Sequence, residues 1–140
     1  MQLLNKIRTR YRFSGVLIDV IAGAAASTAL PPFFIVPALC FLSLPVWRVI
    51  HANSRAEASG IFGAAGLGWF LASTFWVSHA LIVSAPSLWF LTPLVALALA
   101  IILSSFWAVA AAVSWIPHAS ALVRVLCLLV AFALIEWTRS

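Results

Sequence analysis

Few residues in this chain have the types and spacing that chemistry requires. Cys40 and Cys127 lie inside apolar runs with no histidine or carboxylate at a helical neighbour position to act as a base. The thiolate is the reactive form and apolar surroundings disfavour it, so both cysteines are read as packing residues. His51 falls in a polar stretch, His79 near the end of an apolar run and His118 in a turn, and no two stand at metal-ligand spacing. No metal site is assigned on that pattern. Asp19 interrupts an apolar run, and a carboxylate inside a membrane helix is a functional candidate by default. Arg12, two turns away on the same face, is its expected neutralising partner. Glu136 and Arg139 are spaced i, i+3 and share a face at the end of the last apolar run. Their plainer reading is an interfacial ion pair that ends a span and reaches for water. Covalent catalysis by a cysteine needs an activated thiolate, a general base and a stabilised oxyanion together. None of these arrangements occurs here, so neither a catalytic residue nor a cofactor site is assigned.

The elements that must position these residues are membrane helices by composition. Of 140 residues, 65% are hydrophobic and 8% charged, and the mean hydropathy is +1.16, far from globular usage with roughly 25% charged residues. The expected fold is all-α, a polytopic membrane helical bundle of about five transmembrane helices of roughly 20 residues each. A basic cytoplasmic segment, 1–12, precedes a transmembrane domain, 13–140, with spans near 13–30, 33–50, 60–83, 91–115 and 119–137. Pro31-Pro32, the polar stretch His51 to Ser59, Ser84-Ala85-Pro86-Ser87 and Ile116-Pro117-His118 separate the runs. The net charge of +5 does not indicate nucleic acid, because the cations form no surface stripe and sit between apolar runs.

Those cations set the expected orientation. With the N-terminus cytoplasmic, Lys6, Arg8, Arg10, Arg12, Arg48, Arg55 and Arg124 fall inside and only Arg139 outside, a positive-inside pattern. The C-terminus then lies on the outer side. Phe13 to Ile50 reads as two helices or one re-entrant hairpin; two helices are favoured because each run is long enough and Pro31-Pro32 supplies a break. A signal peptide is the rival for the first run, given its basic start and Ala24-Ala25-Ala26-Ser27, but Asp19 interrupts the apolar region that a signal needs.

Small residues recur every four positions at Gly60, Ala64, Gly68 and Ala72, and again at Ala96, Ala100, Ser104, Ala108 and Ala112. Such ridges let helix backbones approach closely. Phe62, Trp69 and Trp76 repeat every seven residues, which reads either as a core or lipid-facing stripe or as a wall against an acyl chain. Trp69 and Trp76 are the candidate lipid contacts.

Two motifs resemble a known family. Gly66, Gly68 and Phe70, followed six residues later by Trp76, look like the glycine-rich aromatic helix of apolipoprotein N-acyltransferases, and Glu136-Trp137-Thr138-Arg139 is similar to that family's E-W-x-R-G signature, with Ser140 in place of the glycine. The resemblance spans essentially the whole chain, although only these motifs are specific. It implies part of a machinery that moves an acyl chain from a phospholipid, through a cysteine thioester, to the α-amino group of a diacylglyceryl-cysteine on a lipoprotein. The family's Glu, Lys and Cys triad belongs to a periplasmic nitrilase-like domain outside these residues. The expected role is therefore to anchor the enzyme and present lipid, with the chain inactive alone and with membrane phospholipid, the lipoprotein and the rest of the enzyme as partners. The alternative is a free-standing small membrane protein serving as an interaction or transport subunit. Against it, no path of ionisable residues runs through the helices.

Overall fold

The computed structural model describes residues 2–31, 33–74, 80, 82–84 and 86–139, and side chains from Ser14 onward apart from those of 86, 88 and 139. The first helix, α1 (Gln2–Ala26), runs through the basic segment and continues as one 3-10 turn, Ser27–Ala29. Ser27 and Thr28 donate their hydroxyls back to the carbonyls of Ala24 and Ala25, each at 2.7 Å. Leu30 is then extended, at φ −84° and ψ 163°, because the ring of Pro31 disfavours helical backbone in the residue before it. The turn that follows holds Phe34 at φ 53°, an unusual left-handed conformation for a bulky residue. Ile35 N–H closes the turn on the carbonyl of Thr28 at 3.1 Å.

The return arm is a seven-residue 3-10 stretch, Val36–Leu42, leading into α2 (Ser43–Ile50). Pro37 and Pro45 each stand within the first three residues of their segments, where a missing N–H costs no intrahelical bond. The polar stretch His51 to Ser59 is shorter as a loop than its composition suggests, because α3 (Arg55–Ser73) begins inside it. Ser54 is the N-cap: its Oγ accepts from Glu57 N–H at 3.1 Å, while the Glu57 carboxylate accepts from Asn53 N–H at 2.9 Å. This Ser-x-x-Glu capping arrangement starts a helix in spite of polar surroundings. A 3-10 stretch, Pro86–Leu91, leads into α4 (Thr92–Ser114). Ile116-Pro117-His118 turns the chain, with His118 at φ 60°, into α5 (Ala121–Arg139).

Helix α3 is the centre of the bundle, packed on α1 along one side and α4 along the other, with α5 against α4. The α1–α3 crossing depends on two glycines. A Cβ on Gly23 would collide with the Ala65 carbonyl, and one on Gly68 with the Val20 carbonyl. Without side chains the two backbones reach Cα–H···O contact. The small-residue ridge is thus partly relocated. Gly68 and Ala64 are buried, whereas Gly60 and Ala72 are exposed, and Gly63 and Gly66 make the close approach to α4, against Ala108 and Trp107.

The fold is all-helical, with no strand among the described residues. Two segments, Trp89–Ser114 and Ala121–Thr138, are long and apolar enough to cross a membrane, while Ser14–Ala29 and Val36–Ile50 are shorter apolar helices. Of the five expected spans, these two meet the length requirement among the described residues, and the third, 60–83, lies partly outside them. The Pro31 break and the 3-10 stretch divide the first two runs into short arms.

Candidate functional site

Trp107 of α4 organises the interior. It is 4% exposed, at the middle of a buried stripe, Ala100, Ser104, Trp107, Ala111 and Ser114, whose three- and four-residue steps trace one helical face. Its ring stacks on Phe62 at 5.1 Å between centroids and meets Trp69 at 5.8 Å, Phe70 at 5.7 Å and Phe132 at 5.2 Å. The Phe70 and Phe132 contacts are edge-on, a geometry aromatic pairs prefer. Gly66 makes room for the cluster: a Cβ there would stand 3.2 Å from the Trp107 side chain.

The indole N–H of Trp107 points to α5, where Glu136 Oε1 accepts it at 3.3 Å. Glu136 is therefore turned into the bundle and half-buried, where an end-of-span ion pair reaching for water was expected. The side chain of Arg139, its expected partner, lies outside the described residues. Beside the Trp107–Glu136 bond is a cavity of about 430 Å³ lined by Leu30, Trp69, Phe70, Leu103, Phe132 and Glu136, with Ser73 and Thr74 at its edge. Thr74 and Ser73 donate their hydroxyls to the Phe70 carbonyl, which leaves the Glu136 carboxylate as the charged group of the lining. A cavity of this size, apolar apart from one ionisable group, has the character of a small-molecule or lipid-chain site.

The family-signature residues separate into two groups. Gly66, Phe70 and Glu136 converge on Trp107, although the motifs lie 66 or more positions apart in the chain. Gly68 faces the other way, onto α1, and Trp137 is 82% exposed. Of the candidate lipid contacts, Trp69 lines the cavity, while Trp76 lies outside the described residues, as does His79. Trp107 and Phe132 were missed at the level of sequence. The signal for Trp107 was present, a tryptophan in register with the small-residue stripe of α4.

Asp19 is fully buried, and its partner is Arg48 of α2, with which it forms an ion pair. Arg12 had been the expected partner; its side chain lies outside the described residues. Arg48 Nη1 also donates to the Gly15 carbonyl at 2.7 Å. The Asp19 oxygens meet Arg48 at ion-pair distance, without a hydrogen bond of regular geometry among the described residues. This cluster joins α1 to α2. Cys40 is exposed on the 3-10 stretch and Cys127 is half-buried on α5, so neither is the enclosed packing residue that its apolar run suggested. No group of three or more metal-capable side chains gathers among the described residues.

Comparison with known proteins converges on one family. The family described as "Apolipoprotein N-acyltransferase N-terminal domain" matches residues 22–140. The apolipoprotein N-acyltransferase of Rhizobium rhizogenes is 31% identical over 99% of this chain and 28% of its own length. That of Rhizobium etli is 33% identical over the same shares, and that of Caulobacter vibrioides is 32% identical over 94% of this chain and 26% of its own length. The chain thus spans little more than a quarter of the curated relatives it matches. No solved structure matches it. With Gly66, Phe70 and Glu136 assembled around one tryptophan and the family match running over most of the chain, the protein belongs to the apolipoprotein N-acyltransferase family, of which it corresponds to the N-terminal part.

Proposed function

We propose that this chain is the membrane-embedded, lipid-presenting N-terminal part of an apolipoprotein N-acyltransferase. Its apolar segments lie in the bacterial inner membrane, with the N-terminus cytoplasmic and the C-terminus periplasmic. The orientation rests on the distribution of cations, and it holds whether Phe13 to Ile50 crosses twice or enters and returns. In the reaction implied by the family, an acyl chain leaves a phospholipid as a cysteine thioester and passes to the α-amino group of a lipoprotein's diacylglyceryl-cysteine. The role proposed for this chain is to hold the acyl chain of the phospholipid. The observation that carries the reading is the aromatic cavity of Trp69, Phe70, Trp107 and Phe132, whose lining includes the family-signature residues Phe70 and Glu136.

The test is acyl transfer by the complete enzyme with Trp69→Ala. A shortened wall should raise the KM for phospholipid by about tenfold, the loss of roughly 1.4 kcal/mol of apolar contact, without lowering the melting temperature by more than a few degrees. An unchanged KM would remove Trp69 from lipid contact. The 140-residue chain expressed alone should fail to restore lipoprotein N-acylation in membranes lacking the enzyme, and restoration would overturn the division of roles.

A further inference from the structure

Arg124 joins three elements at the end of the bundle that carries the polar linker. From the first turn of α5 it donates from Nη1 to the carbonyls of Ile50 at 2.7 Å and Ala52 at 3.1 Å. Its guanidinium carbon lies 5.5 Å from the centre of the Trp115 ring, and the Trp115 N–H bonds the Ala52 carbonyl at 3.0 Å. Both arginine bonds use the same nitrogen. Nε, by contrast, is shielded and has no acceptor among the described residues. A shielded donor without an acceptor is costly, and an oxyanion supplied from outside the chain would recover that cost. Nε and Nη2 form the edge of a guanidinium that holds two oxygens of one phosphate side by side. The Arg124 side chain is half-buried, so a ligand at the bundle surface can approach it.

The surroundings choose the ligand. Trp47 of α2 is 59% exposed and stacks on His51 at 4.8 Å, and Leu122, two positions before Arg124, is 68% exposed. Aromatic rings and apolar side chains beside a polar linker are the composition of a membrane interface, where the oxyanion at hand is the phosphodiester of a phospholipid. Charge at this end is mostly of one sign. Arg55 is exposed, as are His51 and His118, and Lys6, Arg8, Arg10 and Arg12 open α1, whose Gly15 is bonded by Arg48 of α2. The Glu57 carboxylate already accepts from Asn53 N–H at 2.9 Å. A headgroup with a net negative charge therefore gains more here than one that carries its own ammonium.

We propose that the seam between the end of α2 and the start of α5 binds the phosphodiester of an anionic phospholipid, with Arg124 gripping it through Nε and Nη2. With the orientation above, the lipid belongs to the cytoplasmic leaflet. It braces α2 against α5. This site is separate from the aromatic cavity, because Arg124 and Glu136 stand twelve positions apart on α5, a rise of about 18 Å.

The test is lipid binding by the full chain in dodecyl maltoside micelles, read by native mass spectrometry and by thermal melting with dioleoyl phosphatidylglycerol, dioleoyl phosphatidylcholine or inorganic phosphate. Phosphatidylglycerol should bind about fivefold more tightly than phosphatidylcholine, the effect of one arginine at an anionic surface, and should raise the melting temperature where inorganic phosphate does not. Arg124→Lys keeps the charge and removes the edge, so most of the preference should be lost. Ser120→Asp is a second variant that spares the clamp. Ser120 is exposed and its Oγ caps Val123 N–H at 3.4 Å, a role aspartate also fills, while the new carboxylate, one turn from Arg124, competes with phosphate for the guanidinium. The preference should fall there too, with the lipid-free melting temperature unchanged or raised. Equal binding of the two lipids would mean that headgroup charge is not read, and equal protection by inorganic phosphate would leave an ion site without a lipid; either would overturn the proposal. A preference unchanged in Ser120→Asp, or in folded Arg124→Lys, would overturn it too.

Discussion

A single indole carries much of the chemistry of this chain. Trp107 fills the junction of three helices and also supplies the N–H that holds Glu136 inward. Trp107→Phe keeps most of the ring contacts and loses that donor, and a hydrogen bond to a charged acceptor contributes about 1.5 to 3 kcal/mol. Trp107→Ala should cost about 3 to 5 kcal/mol through the void it leaves. Denaturant titration in detergent micelles would read both, and equal losses would show that the ring does not pack as described. The buried pair Asp19–Arg48 invites a different comparison. Removing Arg48 alone strands a carboxylate that is fully enclosed, which costs about 3 to 5 kcal/mol, whereas removing both groups restores most of it. In a double-mutant cycle, a loss for Asp19→Ala/Arg48→Ala equal to the sum of the two single losses would mean that the pair is not coupled.

Among the elements, the α1–α3 crossing is the contact most sensitive to a single atom. A methyl group at Gly68 meets backbone and not a movable side chain, so Gly68→Ala must push the helices apart, at a cost of about 1 to 3 kcal/mol as for other overpacked sites. Gly60→Ala is the control, since nothing lies within 4 Å of its added Cβ. There the gain in helix propensity, about 1 kcal/mol, should show as slight stabilisation. Equal melting temperatures for the two variants would contradict the crossing. Of the small residues spaced by four on α3, Ala64 and Gly68 are buried while Gly60 and Ala72 are exposed, and four-residue periodicity could not say which members face a neighbour. A helix with small residues at positions 60, 63, 64, 66 and 68 offers contact on more than one face, and only the partner backbones choose among them.

At the scale of the whole molecule, Arg124 shows how one cation serves packing as well as topology. It counts toward the positive-inside pattern, and in the fold it caps the end of α2 and rests on Trp115. Arg124→Lys keeps the charge but lacks the planar guanidinium that lies over Trp115 while its Nη1 donates to both carbonyls. Insertion orientation, read by cysteine labelling from either side, should be unchanged by Arg124→Lys while thermal stability falls; a reversed orientation would mean that topology depends on the clamp. The chain by itself determined its all-helical class, its breaks at Pro31 and Pro117 and its family, because hydropathy, proline geometry and short motifs are local properties. Three outcomes were decided only by tertiary structure: the pairing of Asp19 with Arg48, the convergence of Gly66, Phe70 and Glu136 on Trp107, and the cavity beside them. Each joins residues from different helices, and their meeting depends on how closely backbones cross, as at Gly23 and Gly68. Distances of that kind are set by packing between segments, which no spacing within one segment encodes.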